Sequence, residues 1–438
     1  MLLLLVYPHM LVYIKFERIF WGIALQVLFA LLILRWSFGK QLFQCLGSKV
    51  SNFLSFTDAG TIFAIGDFLN DTNSYAFKIL PVILYFGLFV SILYHFGIIQ
   101  WVIIKLGWVL QIIVGTTPCE SMATVANIFL GMSEAPLVIK PYISLLTKSE
   151  IHTIMTGGFA TVAGGVLAAY ISFGIEPAHL LSASIMSAPA ALTMSKLFYP
   201  EVEKSQTKHE NIKIIRDKDK NIIHVIMTDL KDNIQLIAII TSCLVVFIGA
   251  AAFLNAFSDW GCQTLGYEEG VCEIQKFLGY LLYPVAWLMG VPSEDCHFVG
   301  YLLGMKIFVT EFLAYKELAN KFKQGLVSNE YFEYEIWCRI SKNSIEYRML
   351  IYRKCARSVV IATYALCGFS SVPSMTCAVG ALSCLAPSKI KDVSQVVLRA
   401  FVAGNFACIL TACVAGLYHN DDECEEMIMM IQHSLSKY

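Results

Sequence analysis

Charged residues are scarce in this chain, and several short motifs typical of enzymes are missing from it. Charged residues make up 15% of the 438 residues, whereas soluble domains carry about 25%. The formal net charge is −1, so no excess of basic residues is present to bind nucleic acid. The sequence contains no G-x-S-x-G, H-E-x-x-H, Walker A or dinucleotide-binding motif, which argues against the commonest hydrolases and against a pump that consumes ATP. We therefore expect neither an enzyme nor a nucleic-acid-binding protein.

The cysteines lack the spacing of a metal site. The 14 cysteines include no C-x-x-C pair, and most lie in apolar runs, where cysteine behaves as a small apolar residue. Cys262 and Cys272 differ, since they flank a short polar stretch. They would form a disulfide if that stretch is extracellular, and would remain free thiols otherwise.

Apolar residues are abundant and are arranged in long blocks. They make up 57% of the chain, and the mean hydropathy is +0.63. A membrane-spanning helix needs roughly 20 mostly apolar residues. Blocks of suitable length predict about eight or nine membrane segments, at residues 20–36, 79–114, 151–173, 180–197, 234–257, 277–289, 299–315, 359–385 and 396–418. We expect an all-α polytopic membrane protein in a lipid bilayer.

Polar and weakly apolar stretches lie between these blocks. Residues 40–72 and 316–357 are typical of interfacial helices, and residues 201–232 predict a solvated loop with a short amphipathic piece. Asn70 begins an N-x-T triplet, which is a weak sign of an extracellular position. Residues 1–11 are apolar but have no basic leader or cleavage site, so we expect a short first span and no cleavable signal peptide.

Two apolar regions are interrupted by glycine and proline. The stretch GTTPCES occupies residues 115–121, and GMSEAP occupies residues 131–136. They are either short loops between ordinary helices or parts of a re-entrant hairpin, whose freed backbone groups must face protein or water. The glutamates within such apolar flanks favour the hairpin.

A second copy of this arrangement occurs later in the chain. The stretch GVPSED at residues 290–295 resembles the first break, and Glu311 corresponds to Glu134. The stretch GGFATV at residues 157–162 resembles CGFSSV at residues 367–372. Each half therefore predicts a hairpin that carries a glutamate, followed by a broken helix. Many secondary transporters build a midplane binding site from such repeats.

Four polar residues in the repeats are candidate site residues. A carboxylate at membrane depth is costly unless it is paired, solvated or used, so Glu134 and Glu311 either bind a polar solute or cap a helix end. The side chains of Asn127 and Thr161, with nearby freed carbonyls, form a hard oxygen shell that suits Na⁺. The alternative for Asn127 is a hydrogen bond to a neighbouring helix.

These residues carry a family resemblance. ESMATVANIFLGMSEAPL at residues 120–137 closely resembles the signature of the concentrative nucleoside transporter family. Further stretches resemble the family in order and spacing, from about residue 20 to residue 418: MTGGFAT (155–161), YPEVE (199–203), EFLAY (311–315) and ATYALCGF (362–369).

The resemblance implies an elevator-type transporter with an inverted internal repeat, two re-entrant hairpins and broken transmembrane helices. It implies a homotrimer that takes up nucleosides with Na⁺ across the plasma membrane. The implied parts are N-terminal scaffold helices and an interfacial helix (1–104), a first repeat (105–200), a polar loop with a further helix (201–275), a second repeat (276–387) and a C-terminal scaffold helix and tail (388–438).

The resemblance also implies the roles of individual residues. The base contacts would be Met132, Ser133, Glu134 and Val166. The ribose contacts would be Glu311, Ser371 and Ser374, with apolar walls from Phe369 and Leu236. The sodium ligands would be the side chains of Asn127 and Thr161 and the carbonyls of Leu130 and Val162.

The combination of Gly131 and Met132 with Thr161 and Val162 resembles that of purine-preferring animal members. Methionine offers an adaptable apolar surface and no donor, which suits a purine face. We expect inosine, guanosine and adenosine to be favoured, with uridine also accepted.

Five positions depart from the family pattern. Ser371 and Thr310 replace the usual asparagines, Pro373 replaces glycine, Ser293 replaces tryptophan, and Val359 stands where glutamate is frequent. Two alternatives therefore stay open, a proton-coupled nucleoside symporter and a transport-impaired nucleoside-binding homologue. Animal members also carry extra helices before the region that begins near residue 20 here.

Overall fold

The computed structural model describes residues 13–65, 75–132, 134–207, 221–266, 274–324 and 357–419. Every regular element in these ranges is a helix, which confirms the expected all-α fold class. The first half forms α1 (Phe16–Ala30), α2 (Ser37–Ile65), α3 (Tyr75–His95), α4 (Ile98–Val114), α5 (Pro118–Phe129), α6 (Lys148–Ala160), α7 (Gly164–Ser172) and α8 (Pro177–Phe198). The second half forms α9 (Ile222–Thr264), α10 (Ile274–Leu288), α11 (Ser293–Phe308), α12 (Glu311–Gln324), α13 (Arg357–Leu366), α14 (Val372–Leu385) and α15 (Ile390–Tyr418). A π-helical turn follows α1 at Leu31–Arg35, and 3₁₀ segments occupy Ala135–Leu145 and Pro387–Lys389.

Few of the described helices are simple membrane spans. Three are long and apolar enough to cross a membrane singly, Phe16–Arg35, Val245–Thr264 and Pro387–Tyr418. The pair Pro81–His95 and Ile98–Val114 passes the same test together but is bent by 76°. Other predicted segments are split, since residues 151–173 form α6 and α7, and residues 359–385 form α13 and α14. The apolar blocks lie where the sequence predicts, but several fold as broken helices.

The first hairpin begins with a well-formed helix start. The backbone N–H of Thr117 donates a hydrogen bond to the carboxylate of Glu120 at 2.9 Å at the N-terminus of α5, and Pro118 occupies the first turn, where its missing N–H is not needed. The chain leaves the helix at Leu130, which has extended backbone angles, and turns into the Ala135–Leu145 segment. This break coincides with the stretch expected to interrupt the helix.

The two halves exchange helices in their cores. One core contains the first hairpin (α5 and the Ala135–Leu145 segment), α6 and α14. The other contains the second hairpin (α11 and α12), α13 and α7. Each hairpin therefore packs on the first part of its own broken helix and on the last part of the other repeat's broken helix. This equivalence supports the internal repeat at the level of packing, and α15 ties the halves together by lying along α6, α8 and α13.

Some predictions need correction. The expected solvated loop at 201–232 is shorter, because α9 begins at Ile222 and Thr207 is buried against the protein. Residues 104 and 275, after which the sequence predicts boundaries between parts of the chain, lie within α4 and α10, and the division into parts stays a prediction. Gly97 and Gly115, which flank α4, both have positive φ.

Other predictions fall partly or wholly outside the described residues. Cys262 is disulfide-bonded, whereas Cys272 lies outside the described ranges. The triplet at Asn70 and most of the predicted interfacial stretch 316–357 also lie outside them.

Candidate functional site

The two broken helices meet at their breaks. The backbone N–H of Phe369 donates a hydrogen bond to the carbonyl of Thr161 at 3.2 Å. Gly368 has a φ of +153°, and a Cβ at this position would lie 2.7 Å from the carbonyl oxygen of Phe159. Only glycine permits this approach. The two unwound stretches that look alike in sequence are therefore in direct contact.

The tip of the first hairpin packs against the end of α6 because two glycines leave room for it. A Cβ on Gly158 would lie 2.8 Å from the Cβ of Met132, and one on Gly157 would lie 3.2 Å from Nδ2 of Asn127. A Cβ on Gly158 would also lie 3.8 Å from Oδ1 of Asn127. The Asn127 amide thus lies against the last turn of α6, beside Thr161.

The predicted sodium shell includes a buried side-chain amide that has no hydrogen-bond partner among the described residues. Asn127 is 1% exposed, and neither its Oδ1 nor its Nδ2 has a hydrogen-bond partner among the described residues. The Thr161 hydroxyl donates to the carbonyl of Gly157 at 2.8 Å and keeps its lone pairs for another ligand. The carbonyls of Leu130 and Val162 accept no backbone hydrogen bond from the described part of the chain.

This donor set fits a hard cation. An unpaired buried amide oxygen costs free energy, and a cation at this position would satisfy it. The set offers neutral oxygens and no thiolate or imidazole, which matches Na⁺ better than a transition metal. The described residues contain no group of three or more His, Cys, Asp or Glu side chains that would hold a metal.

Glu311 provides a buried carboxylate in the second repeat. It begins α12, is 3% exposed, and its Oε2 atom has no partner among the described residues. Ser371 lies beside this carboxyl group, and its hydroxyl is 2.7 Å from that of Ser374. Two hydroxyls and a carboxylate oxygen are thus available to a polar ligand.

The remaining predicted contacts lie in different environments. Glu134 is exposed, unlike Glu311, and precedes the Ala135–Leu145 segment. Val166 is 2% exposed and Phe369 is 8% exposed, and both belong to the core around the second hairpin. Ser133 lies outside the described residues, as does the side chain of Leu236.

The departures from the family pattern have local explanations. Pro373 occupies the first turn of α14, where proline is well tolerated, so the helix is intact. The Thr310 hydroxyl accepts a hydrogen bond from the N–H of Leu313 at 3.4 Å and so helps to begin α12. Ser371 is the departure that changes chemistry, because its hydroxyl turns to Ser374 and reaches less far than an amide.

Sequence reasoning missed a buried ionic cluster behind the first hairpin. Lys196 on α8 pairs with the carboxylate of Glu120, and both side chains are at most 5% exposed. The Lys196 amine also donates to the hydroxyl of Ser149 at 2.9 Å, and the hydroxyl of Thr153 donates to Glu120 at 3.0 Å. The only signal was a lysine within the predicted apolar segment 180–197.

The second hairpin has a smaller counterpart of this cluster. The hydroxyl of Ser358, in the first turn of α13, donates to Oδ2 of Asp295 at 2.5 Å. Asp295 lies in the first turn of α11, as Glu120 lies in the first turn of α5. Each hairpin arm is thus fastened to its own broken helix by a hydroxyl–carboxylate bond, which supports the repeat.

Family models match this chain over most of its length. The model described as Na⁺ dependent nucleoside transporter C-terminus matches residues 179–416. The N-terminal model of the same family matches residues 12–68, and a nucleoside recognition model matches residues 76–176. The chain belongs to the Na⁺ dependent nucleoside transporter family. This membership confirms the resemblance found in the sequence, and it places the chain among membrane transporters rather than enzymes.

Individual members of the Na⁺ dependent nucleoside transporter family are similar over nearly all of this chain. Solute carrier family 28 member 3 of Eptatretus stoutii is 41% identical over 95% of this chain and 59% of that protein. Sodium/nucleoside cotransporter 1 of Rattus norvegicus is 39% identical over 93% of this chain and 60% of that protein. The chain therefore spans about three fifths of the length of the curated relatives it matches.

Solved structures support the fold. CNTnw in an inward-facing substrate-bound state is 30% identical, with a TM-score of 0.78 over 93% of this chain and 94% of that chain. A variant of CNTnw in an outward-facing state gives a TM-score of 0.80 at 30% identity, over 93% of each chain. The similarity to both states agrees with the expected elevator-type fold.

Proposed function

We propose that this protein takes up nucleosides by sodium-coupled symport across the plasma membrane, with purine nucleosides preferred and uridine also accepted. The observation that carries the proposal is the buried, unpaired amide of Asn127, which lies at the break of α6 and α7 beside Thr161. Family membership supports the class of substrate and of coupling ion.

The sodium ion would stabilise the tip of the first hairpin. It would be bound by the side chains of Asn127 and Thr161 and by the carbonyls of Leu130 and Val162. Binding there would fix the chain from Leu130 to Met132 against α6. The ion would thus raise nucleoside affinity, and by linkage the nucleoside would raise the affinity for the ion by the same factor.

The nucleoside would lie between the hairpin tips. Glu311, Ser371 and Ser374 would bind the ribose hydroxyls, since the carboxylate oxygen of Glu311 is unpaired in the described structure. A buried site built for hydroxyls rejects analogues that lack them. Met132, Ser133, Glu134 and Val166 would contact the base, with Phe369 and Leu236 as apolar walls.

The selectivity for purines is attributed to Met132. Its side chain packs beside Gly158 and is partly exposed. It would present an apolar surface without a donor to the base. We further propose that three copies assemble as a homotrimer, as the family resemblance implies.

The test is uptake of radiolabelled inosine and thymidine in cells that lack endogenous carriers. External Na⁺ is compared with choline, at neutral and at acid pH. We expect inosine uptake to require Na⁺ and to exceed that of thymidine. Inosine uptake in choline at acid pH would favour proton coupling, and binding without uptake would favour the transport-impaired alternative.

A further inference from the structure

Lys306 is a buried lysine for which the proposed site has no role. It lies in the last turn of α11 and is 1% exposed. Its amine donates a hydrogen bond to the backbone carbonyl of Ala365 at 2.8 Å. The described residues form no salt bridge with it within 4.0 Å, although its charge acts on the carboxyl group of Glu311. A buried ammonium is costly unless its charge is used or compensated.

The carbonyl that Lys306 binds is at a helix end. Ala365 is in the last turn of α13, which ends at Leu366 just before the second break. The C-terminal end of a helix carries partial negative charge and attracts cations. The ammonium therefore lies at the negatively polarised end of α13, and its charge also acts on the carboxyl group of Glu311.

This arrangement parallels the sodium shell of the first repeat. There, Asn127 from the last full turn of α5 lies against the last turn of α6, just before the first break. In the second repeat Lys306 from the last turn of α11 reaches the last turn of α13. The packing exchange between the cores makes α5 with α6 equivalent to α11 with α13.

We propose that Lys306 is the built-in cation of the second repeat. Its ammonium takes the role that a sodium ion has in the first repeat, by joining the hairpin arm to the end of its broken helix. It is a positioning residue, because its bond to Ala365 fixes the end of α11, just before Glu311, against α13. The positioning role rests on the proposed function, because it requires that Glu311 binds the ribose. The cation role does not depend on the proposed function.

The cation role is tested without a nucleoside. In Lys306→Ala the side chain is removed, and a small ammonium ion fits the space that is left. We expect methylammonium chloride to raise the thermal midpoint of purified Lys306→Ala towards that of the wild type, and choline chloride to have no such effect. The wild type should respond to neither salt beyond the effect of ionic strength. Equal responses of the variant and the wild type to methylammonium would overturn the proposal.

The positioning role is tested by binding. Lys306→Met keeps the length of the side chain and removes the charge, and Lys316→Met changes an exposed lysine on α12 as the matched control. With purified protein in Na⁺, we expect Lys306→Met to weaken inosine binding by about tenfold or more. Loss of the bond to Ala365 would displace the start of α12 and so weaken the charge-assisted hydrogen bonds between Glu311 and the ribose hydroxyls. Binding of 2′,3′-dideoxyinosine, which lacks the ribose hydroxyls, should change far less, and Lys306→Arg should restore part of the loss.

Equal losses for inosine and its dideoxy analogue would contradict the positioning role. If the folded Lys306→Met binds inosine as the wild type does, that role is also wrong. A wild type that binds no nucleoside would contradict the proposed function instead, while the methylammonium result would still decide the cation role.

Discussion

Asn127 is the residue on which the proposed coupling depends most. Its amide is buried with both polar atoms unpaired in the described structure, although buried polar groups nearly always have partners. The carbonyl of Leu130 lies at the end of α5, and that of Val162 lies between α6 and α7. Unpaired oxygens of this kind are explained if a cation occupies the position during transport.

Replacing Asn127 should weaken sodium binding. We expect Asn127→Ala to raise the half-saturating Na⁺ concentration for inosine uptake by about tenfold or more, since a ligand lost to a charged group costs at least about 1.4 kcal/mol. The measurement is uptake as a function of Na⁺ in cells, with surface expression checked. Asn52→Ala, at an exposed position on α2, is the control and should leave the curve unchanged. An unaltered Na⁺ dependence in Asn127→Ala would remove this residue from the ion site.

The two repeat glutamates should both be required. We expect Glu311→Gln and Glu134→Gln to abolish concentrative inosine uptake while surface expression stays intact. Glu311→Gln should be the more stable of the two relative to wild type, because it removes a buried charge whose Oε2 atom is unpaired. Near-normal accumulation by either variant would exclude that glutamate from the site.

Residue identities were well predicted from the sequence, but residue environments were not. Asn127, Glu134, Thr161 and Glu311 stand out because polar residues interrupt apolar blocks next to glycine. The exposure of Glu134 and the burial of Glu311 were not predictable, since both have similar neighbours in the chain. The burial of Lys196 and Lys306 was indicated only by their positions within the predicted apolar segments 180–197 and 299–315.

At the scale of elements, the contact between the two breaks depends on Gly368. Its φ is +153°, and a Cβ would lie 2.6 Å from Sγ of Cys408 and 2.7 Å from the carbonyl of Phe159. Gly380, in α14 of the same broken helix, has no atom within 4 Å of the corresponding position. Gly380 is therefore a suitable control for a substitution of Gly368, because only Gly368 lies at a close contact.

Gly368→Ala should destabilise the protein and Gly380→Ala should not. We expect a loss of about 1–3 kcal/mol for Gly368→Ala, from backbone strain and overpacking. Gly380→Ala should be neutral or more stable by up to about 1 kcal/mol, because alanine favours helix. Thermal unfolding of the detergent-solubilised protein measures both. Similar midpoints for the two variants would contradict the described crossing of the broken helices.

The segment after α8 is hydrogen-bonded to the N-terminal end of α6. The hydroxyl of Thr207 donates to Oε1 of Glu150 at 3.1 Å, and the hydroxyl of Thr147 donates to Oε2 of Glu201 at 3.0 Å. Burial raises the pKa of Glu201 above its ordinary value, although Lys196 and Thr147 act in the opposite direction. The folded protein therefore binds a proton at Glu201 more tightly than the unfolded chain does.

This shift predicts a pH dependence of stability. Because the folded pKa is raised, the contribution of Glu201 is most favourable at low pH and is lost as the pH rises through the interval between the two pKa values. We expect the thermal midpoint of the wild type, relative to Glu201→Gln, to fall as the pH rises from about 4.5, the ordinary pKa, through the raised pKa, and then to become level. Glu203→Gln, at an exposed position, should follow the wild type. Parallel curves for the wild type and Glu201→Gln would contradict the raised pKa.

Element positions were predictable to the extent that they follow local chemistry. Glycine, proline and threonine at residues 115–118 predict the break before α5, and GGFATV predicts the break after α6. The exchange of α7 and α14 between the cores was not predictable, because it depends on contacts between residues more than 120 positions apart. The predicted segment 234–257 lies within α9, but the first turns of α9 were assigned to a loop because they carry polar and charged residues.

At the scale of the whole molecule, the two hairpins and two broken helices form a unit with equivalent halves. The first half contains an unpaired amide where a free cation would bind, and the second contains Lys306. Such a unit binds its ligand between the halves and is the part that moves in an elevator-type transporter.

The most direct test of the account is inosine accumulation driven by a sodium gradient in vesicles that contain the purified protein. We predict that an inward Na⁺ gradient concentrates inosine above the external level, that dissipating the gradient releases it, and that Asn127→Ala fails to accumulate it at the same Na⁺ concentration. Accumulation that is equal with Na⁺ and with choline, or that is unchanged in Asn127→Ala, would contradict the central claim that sodium at the first break drives transport.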